Sequence, residues 1–315
     1  MCTASKDLRD FDSLIEVFDF FSSEEVCENY LEVLRWNGTP VCPYCESERV
    51  NKLQGKTKRF KCYGCRKLFG IKTGTIFHNS PIALRKWFIA IYLVTSGDKK
   101  GTSSYALAKN LKVTQKTAWF VLHRIRENYN EETPAFTNPV EVDETFVGGI
   151  EANKHQNKRT PDNQGRSTKT KTAVIGILER QGKVYAVPVV NTKGATILPI
   201  MRSKVAVGNT IYSDEYRPYR ALKTDYVHEF VCHKVEEYVK GSAHTNNLEN
   251  YWSHVKRTIV GTYHQVSRKH LGRYLHETSF RYNNRNLSNG SLFDVALANG
   301  VNKRLDYKTL VNGKN

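Results

Sequence analysis

The segment His244-Thr-Asn-Asn-Leu-Glu-Asn-Tyr-Trp-Ser-His-Val-Lys-Arg257 carries the most informative pattern in this chain. Apolar residues recur along it at offsets of four, seven and eleven, namely at Leu248, Trp252, Val255 and Ile259. This spacing predicts an amphipathic helix over 246–259. Glu249 and Lys256 are seven residues apart, and two turns at 3.6 residues per turn return them to one side of that helix. We therefore expect a carboxylate and an ammonium to lie together beside a buried apolar seam.

Two strand-like segments upstream of this helix each carry an acidic residue. Residues 139–149 are rich in β-branched side chains and close on two glycines, with Asp143 in their middle. Residues 211–216 form a second such segment containing Asp214, 71 residues later (214 − 143), and Glu249 follows after another 35 (249 − 214). This order of acids is that of ribonuclease-H-like nucleotidyl transferases, in which carboxylates hold two Mg²⁺ ions about 3.5–4 Å apart. The sequence thus predicts an α/β fold with a ribonuclease-H-like catalytic domain. The predicted catalytic residues are Asp143, Asp214, Glu249 and Lys256.

Each of these acids has a structural alternative. Strand alternation puts Glu141 on the same face as the proposed strand ligand, Asp143. Glu141 can therefore be mistaken for that ligand, and so can Glu144, which is adjacent to Asp143 in the sequence. Asp214 can merely start a turn. Glu249 stands three residues after Asn246, which is the spacing of a capping box in which the glutamate serves only the helix N-terminus. The prediction of metal binding therefore depends on the three acids as an ordered set beside a lysine.

Four of the seven cysteines are clustered in a pattern that predicts a second metal site. Cys42-Pro-Tyr-Cys45 and Cys62-Tyr-Gly-Cys65 are separated by sixteen residues, a spacing typical of a four-thiolate zinc site. Residues 49–53 and 59–61 between the pairs are predicted to form a hairpin. So short a segment cannot bury enough apolar surface to fold alone, and one structural Zn²⁺ would supply the missing stability. Four protein ligands leave no open position for chemistry.

The block over 103–126 predicts two helices joined by a short turn. The candidate N-terminal caps are Ser103 or Ser104 for the first helix and Thr114 for the second. The predicted core residues are Ala106, Leu107, Leu111, Val113, Ala118, Val121, Leu122 and Ile125. The second helix then begins with Gln115, Lys116 and Thr117, at the position where a helix-turn-helix motif places its base-contacting side chains. A plain helical hairpin is the alternative.

The charge of the chain predicts an acidic partner. Its 315 residues include 48 Lys and Arg against 31 Asp and Glu, a net charge of +17, and nucleic acid is the commonest partner of so basic a protein. Lys56 and Arg59 lie among the basic residues around the cysteine cluster and suit phosphate contact.

The longest apolar run, 87–94, is far shorter than the roughly 20 residues of a spanning helix. The N-terminus also lacks the apolar region of a signal peptide. We therefore expect a soluble intracellular protein without a membrane partner.

Several segments together resemble the bacterial IS1595-family (ISXO2-like) insertion-sequence transposases. They are the two cysteine pairs, Asp143-Glu-Thr-Phe-Val-Gly-Gly149, His244-Thr-Asn-Asn-Leu-Glu249, Tyr251-Trp-Ser253, Lys256-Arg257, Gly261-Thr-Tyr-His-Gln-Val266 and Arg281-Tyr-Asn-Asn-Arg285. The resemblance implies a zinc ribbon and a helix-turn-helix region that recognise terminal inverted repeats in double-stranded DNA, ahead of a ribonuclease-H-like domain. It also implies strand cleavage and strand transfer with Mg²⁺ or Mn²⁺, a homodimer or larger synaptic assembly, and a cytoplasmic, nucleoid-associated bacterial protein.

The resemblance further implies which residues bind the catalytic ions. Asp143 and Asp214 correspond to the first two ligands. In the family the third ligand is Glu or, in some members, Asn. Here the resemblance places it at Glu249, which keeps the seven-residue step to Lys256. The alternatives to Glu249 are Asn246, Asn247 and Asn250.

The predicted domain order is a helical leader over 1–35, a zinc ribbon over 36–80, a helix-turn-helix region over 81–131, a catalytic domain over 132–290 and a C-terminal tail over 291–315. Within the catalytic domain, strands are predicted over 140–147, 173–178, 184–190 and 210–212, and helices over 194–205, 217–222 and 246–259. Two rival functions remain open, namely a sequence-specific DNA-binding regulator with an inactive catalytic core and a ribonuclease-H-like nuclease. The presence of all three acids argues against the regulator. A nuclease would not need two DNA-reading modules ahead of its catalytic domain.

Overall fold

The structure, a computed structural model, describes residues 10–55, 58–97, 100–130, 134–149, 154–161, 163, 167–231 and 244–312. Lys56, one of the predicted phosphate contacts, lies outside these residues. The chain divides into two compact units, of which the first contains 1–130 and 286–315 and the second contains 131–285. No helix within the described ranges has the length and apolar content needed to cross a bilayer.

The first unit begins with two helices and a small antiparallel sheet. These elements are α1 (Leu14–Phe20), α2 (Glu24–Trp36), β1 (Val50–Leu53), β2 (Arg59–Cys62) and β3 (Leu68–Gly70). Strands β1 and β2 confirm the predicted hairpin, with Val50 opposite Cys62. The small sheet packs against α2, because the Trp36 ring lies 4.8 Å from that of Phe60, which stacks on Phe69. The ribbon therefore shares its apolar core with the helix that precedes it.

Three further helices continue the first unit, namely α3 (Leu84–Thr95), α4 (Ser104–Leu111) and α5 (Gln115–Asn128). The predicted caps are confirmed, since the side chain of Ser103 accepts from Ala106 N and that of Thr114 accepts from Thr117 N. Six of the eight predicted core residues are buried, namely Leu107, Leu111, Ala118, Val121, Leu122 and Ile125. Ala106 is exposed and that prediction is wrong, because one helical step of about 100° turns it away from the side that Leu107 buries. Val113 is half-buried.

The second unit is a mixed α/β sheet. Its elements are β4 (Val140–Gly148), β5 (Lys171–Glu179), β6 (Val184–Val189), α6 (Gly194–Lys204), β7 (Thr210–Ser213), β8 (Val227–Phe230), α7 (Asn246–Thr258) and α8 (Leu271–Asn283). The strands lie in the order β6-β5-β4-β7-β8. Strand β5 runs antiparallel to both β6 and β4, whereas β7 and β8 run parallel to β4. The predicted α/β class is thus confirmed. The segment predicted to be helical over 217–222 forms a 3₁₀ helix, Arg217–Thr224, rather than an α-helix.

The two faces of this sheet have separate cores. Val140, Val142 and Ile175 pack with α6 on one face. On the other face, the sheet residues Val147, Val174 and Leu178 pack with α7 and α8. The stripe predicted for α7 is confirmed, since it buries Leu248, Trp252, Val255 and Ile259. Burial of that stripe fixes which side of α7 faces strand β4.

The segment after 286 returns to the first unit and forms α9 (Asn289–Asn299) and α10 (Tyr307–Asn312). The region predicted as a C-terminal tail therefore contains regular structure. Helix α9 buries Phe293, Ala296 and Leu297, and the Phe293 ring meets that of Phe88 on α3 edge to face at 6.1 Å. Aromatic packing against α3 accounts for the position of α9, which has little amphipathic periodicity of its own.

Candidate functional site

The four clustered cysteines converge as the spacing predicts. Their sulfurs all lie within 4.8 Å of one another, with Cys42 Sγ 3.6 Å from Cys65 Sγ and Cys45 Sγ 3.6 Å from Cys62 Sγ. A disulfide needs about 2.05 Å, so neither contact is one. A tetrahedron of sulfurs around zinc at about 2.3 Å has edges of about 3.8 Å. The arrangement therefore has the dimensions of a four-thiolate zinc site.

The backbone around these cysteines favours thiolates. Tyr44 N donates to Cys42 Sγ at 3.5 Å and Cys65 N donates to Cys62 Sγ at 3.4 Å. The Cys65 N–H is the main reason why the pKa of Cys62 is lowered to about 6. The pKa of Cys45 is raised to about 12 instead: the backbone N–H of Ser47 favours its thiolate, but the adjacent sulfurs outweigh that bond. Sulfurs this close cannot all ionise without a cation among them.

The predicted catalytic residues line one cavity of the second unit. Asp143, Asp214, Glu249 and Lys256 all border a cavity of about 380 Å³. An adjoining cavity of about 500 Å³ is bordered by Asp143 and Lys256 and also by Lys171 and Tyr216. Glu249 and Lys256 are both exposed on α7, so the seven-residue step does bring carboxylate and ammonium to one side. None of Asn246, Asn247 and Asn250 borders these cavities.

The Asp143 carboxyl is buried and lies close to two other acids. Its pKa is raised to about 6, first because burial disfavours the charged form and then because Asp214 and Glu249 repel it. Trp252 Nε1 donates to Asp143 Oδ2 at 3.1 Å and opposes this shift. A bound cation would relieve both the burial and the repulsion, so the field around this carboxyl fits a cation site.

The alternatives for the other acids are decided by their hydrogen bonds. Tyr216 N donates to Asp214 Oδ1 at 3.0 Å, so Asp214 does begin a turn in addition to facing the cavity. Glu249 Oε1 accepts from the Thr245 hydroxyl at 3.1 Å, and no hydrogen bond joins it to a backbone N–H of the described residues. The capping-box interpretation of Glu249 therefore fails. The N-terminus of α7 is capped by Glu141 instead.

The carboxylates are more widely spaced than the sulfurs. Within the described ranges, the cysteine cluster is the single group of three or more Cys, His, Asp or Glu ligand atoms that all lie within 4.8 Å of one another. The ligand oxygens of Asp143, Asp214 and Glu249 therefore do not all lie within 4.8 Å of one another, although the three residues border one cavity.

Two of the predicted DNA-contacting residues, Arg59 and Lys116, are exposed on the first unit, whereas Gln115 and Thr117 are half-buried. Arg59 is exposed on β2 and Lys116 is exposed on α5, with Lys116 Nζ 5.3 Å from the centre of the Tyr307 ring. Gln115 and Thr117 have structural partners, since Gln115 Nε2 donates to Ser104 Oγ at 2.8 Å and Thr117 bonds to Thr114. Lys116 is therefore the best placed of the three helix residues to meet a phosphate or base.

The sequence named Glu141 and Trp252 but did not predict the polar contacts that they make at this site. Glu141 stands two residues before Asp143 on the same strand face, and Trp252 stands three residues after Glu249 on the same helix. These offsets place each of them beside a predicted ligand. Their polar partners depend on strand β4 and helix α7 being adjacent, which no local pattern specifies.

Comparisons with known proteins agree with this architecture. The ISXO2-like transposase domain family matches residues 136–283, and the transposase zinc-ribbon domain family matches residues 22–68. The chain is 29% identical over 272 residues to an "uncharacterized protein in transposable element ISH50" of Halobacterium salinarum, covering 83% of this chain and 91% of that protein. It is 32% identical over 102 residues to an "uncharacterized transposase-like protein" of Haemophilus influenzae, covering 32% of this chain and 82% of that protein.

Proposed function

Because this chain belongs to the IS1595 (ISXO2-like) transposase family, we propose that it is a DNA transposase that uses divalent metal ions. In the proposed reaction, water hydrolyses a phosphodiester bond at each end of the element and releases a 3′-hydroxyl. That hydroxyl then attacks a phosphodiester of the target DNA, joins to it and displaces a new 3′-hydroxyl. The observation that carries the proposal is the convergence of Asp143, Asp214, Glu249 and Lys256 on one cavity.

The three acids would hold two Mg²⁺ or Mn²⁺ ions. When bound, such ions activate the attacking oxygen and stabilise the leaving oxygen of an in-line displacement. Asp143 enters from the central strand β4, Asp214 from the end of the parallel neighbour β7, and Glu249 from the first turn of α7. The acids thus come from three elements of one sheet and its covering helix. This arrangement supports the proposal that the sheet is ribonuclease-H-like.

Lys256 would bind a DNA phosphate at this site. It lies on the same side of α7 as Glu249 and borders both cavities. The Lys256 ammonium makes no hydrogen bond or ion pair with the described residues, so it is available to an anion. A lysine at this position also offsets the repulsion that a polyanion would meet from the carboxylates.

The first unit would recognise the DNA ends. The ribbon would be held by a structural Zn²⁺ on Cys42, Cys45, Cys62 and Cys65, and α4–α5 would act as a helix-turn-helix with Lys116 at the DNA. Arg59 on the ribbon would contact phosphates. Recognition of two element ends implies at least a homodimer, an expectation that comes from the family resemblance.

The proposal is tested with DNA that carries both chromosomal flanks of this gene. Full-length protein is incubated with that DNA and a supercoiled target plasmid in Mg²⁺ or Mn²⁺. We expect cleavage at the element ends and joined products from the wild type. Asp143→Asn should bind the same DNA and give neither product. A matched control is Asp225→Asn, which removes an acid of the same unit that pairs with Arg202 at 3.0 Å outside the cavity and should react as wild type.

Two outcomes would favour the rival functions. Cleavage without any joined product would indicate a ribonuclease-H-like nuclease. Binding without cleavage, unchanged by Asp143→Asn, would indicate a DNA-binding regulator with an inactive core. Either result overturns the transposase proposal.

A further inference from the structure

Helix α7, which carries Glu249 and Lys256, is not capped by a side chain of its own. Its N-cap residue, Thr245, makes no side-chain cap hydrogen bond. The first-turn donors are instead satisfied by a carboxylate from the sheet: Asn247 N and Leu248 N donate to Glu141 Oε2 at 3.0 and 3.1 Å. A carboxylate at a helix N-terminus also interacts favourably with the helix dipole.

The second oxygen of the Glu141 carboxylate, Oε1, also accepts two hydrogen bonds. Asn247 Nδ2 donates to Glu141 Oε1 at 2.8 Å and Arg180 Nε donates to it at 3.1 Å. His244 Nδ1 lies 3.3 Å from the same oxygen. The carboxylate is fully buried, and these partners compensate for the loss of water. Because both oxygens are engaged, Glu141 is not itself a candidate metal ligand, although it shares a strand face with Asp143.

Arg180 extends this contact to the segment that leads into α7. Its Nη2 donates to the carbonyl oxygen of His244 at 3.1 Å, and its guanidinium lies 3.8 Å from the centre of the Tyr212 ring on β7. The chain before α7 and the first turn of α7 are thus both tied to the sheet through one carboxylate and one guanidinium. Glu249 stands in that first turn, two residues after Asn247 and one after Leu248.

We propose that Glu141 is a positioning residue for the carboxylate site: it fixes the first turn of α7 to β4, so that Glu249 faces Asp143. The inference rests on the proposed metal-dependent function, and it assigns Glu141 no contact with metal or DNA. Strand β4 then carries one ligand at Asp143 and, two residues earlier on the same face, the anchor for the helix that carries another.

The test replaces Glu141 by Gln in the full-length protein. Gln keeps the shape of Glu but presents one acceptor oxygen and one NH₂ group instead of two acceptor oxygens. Two of the four N–H groups that donate to Glu141 would then face an NH₂ group. We expect the amides of Asn247 and Leu248 to exchange with deuterium at least about tenfold faster, without faster exchange in β5. We also expect Mn²⁺ binding, followed by electron paramagnetic resonance, to weaken by about 10–100-fold, the usual effect of losing a residue that orients a ligand.

A matched control is available in the first unit. Glu24 caps α3 in the same way, with Leu84 N 2.8 Å from its Oε1 and Arg85 N 3.4 Å from its Oε2, and α3 also lacks a side-chain cap of its own. Glu24→Gln should speed exchange at the start of α3 and leave Mn²⁺ affinity at wild-type value.

Asn247→Ala serves as a milder second variant if Glu141→Gln folds poorly, since it removes one donor to Glu141 and leaves the carboxylate in place. It should weaken Mn²⁺ binding in the same direction by a smaller factor.

The outcomes separate this inference from the proposed function. Wild-type Mn²⁺ affinity in both Glu141→Gln and Asn247→Ala overturns the positioning role, and so does unchanged exchange at Asn247 and Leu248 in Glu141→Gln. If the wild-type protein itself binds no Mn²⁺ at a site that Asp143→Asn abolishes, the proposed function fails and the inference fails with it.

Discussion

All four sulfurs of the ribbon come from a single stretch of chain between Cys42 and Cys65, whereas Asp143 and Glu249 are 106 residues apart (249 − 143). The sulfurs lie within 4.8 Å of one another, and two tight turns and one hairpin are enough to bring them there. The carboxylates meet only after five strands and a covering helix have assembled. We expect the ribbon to depend on the proposed zinc ion for its stability. The larger sheet has two apolar cores, and we expect it to fold without the proposed divalent ions.

The largest effect is expected from removing a sulfur ligand. Cys62→Ser should abolish zinc binding and unfold the small sheet, because the apparent binding free energy of such a site, about 10–16 kcal/mol in zinc-finger peptides, is the folding free energy of the segment. Zinc content by mass spectrometry and deuterium exchange over 42–70 measure this. The second unit should keep its exchange pattern.

The control for this variant is Cys27→Ser. Cys27 is buried in α2, and burial raises its pKa to about 12, so it remains a neutral thiol outside the cluster. This variant should retain one zinc per chain. Retention of zinc and of slow exchange by Cys62→Ser would show that the ribbon does not depend on its ion.

At the carboxylate site, loss of a proposed ligand should raise the stability of the protein rather than lower it. The pKa of Asp143 is raised from 3.8 to about 6 by burial and by the adjacent acids. When the pKa of an acid is higher in the folded than in the unfolded state, the protein loses folding stability as pH rises from the unfolded pKa to the folded pKa. Above the folded pKa the full loss of stability persists. Asp143→Asn should therefore stabilise the second unit by roughly 2–3 kcal/mol at pH 7.5 without added divalent ions.

Urea unfolding followed by deuterium exchange in β4 and β5 measures this difference. The gain should shrink as pH falls below about 6 and vanish well below pH 3.8, where the Asp143 carboxyl is protonated in both the folded and the unfolded protein. Added Mg²⁺ should stabilise the wild type and not the variant, because only a form that binds the ion gains from it. A gain that does not depend on pH would contradict the account.

The same contrast explains how much could be predicted from the sequence. The cysteine spacing predicted the ribbon and its hairpin, the spacing of apolar residues predicted the buried side of α7, and Ser103 and Thr114 were identified as caps. Each of these depends on residues within about three helical turns or one hairpin of each other. The sulfur cluster was therefore predictable in nearly complete form.

Other features depend on partners that are distant in the sequence. Strand β8 has four residues, mostly exposed, and exists because it pairs with β7. Helix α9 is positioned by aromatic contacts with α3, and the cap that Glu141 provides for α7 joins residues 106 and 107 positions apart. No local periodicity encodes such contacts. The sequence predicted that the three acids belong together, and they do border one cavity, whereas it did not predict the contacts of Glu141 with α7 or of Trp252 with Asp143.

A smaller effect is expected at Gly176, which pairs with Asp143 across β4 and β5. A Cβ there would lie 2.5 Å from Trp252 Cζ2 and 2.8 Å from its Cη2, so Gly176→Ala must displace the indole that donates to Asp143. We expect a loss of about 2 kcal/mol in the free energy of unfolding of the second unit. Gly261→Ala is the control, because its Cβ would meet no atom within 4 Å. Equal stability of the two variants would contradict the close approach of Trp252 to β5.

The smallest effect is expected from Trp252→Phe, which removes the N–H donor and keeps an aromatic ring on Gly176. The bond to Asp143 Oδ2 lowers the pKa of that carboxyl, so its loss should raise this pKa further above 6 and cost about 1 kcal/mol at pH 7.5. Nuclear magnetic resonance titration of the Asp143 carboxyl measures the pKa. In an Asp143→Ala background, Trp252→Phe should no longer lower the free energy of unfolding through this hydrogen bond. Such a double-mutant cycle isolates the pairwise interaction. If the cost persists in that background, Trp252 acts through packing alone, and the orientation of Asp143 depends on the strand rather than on the helix.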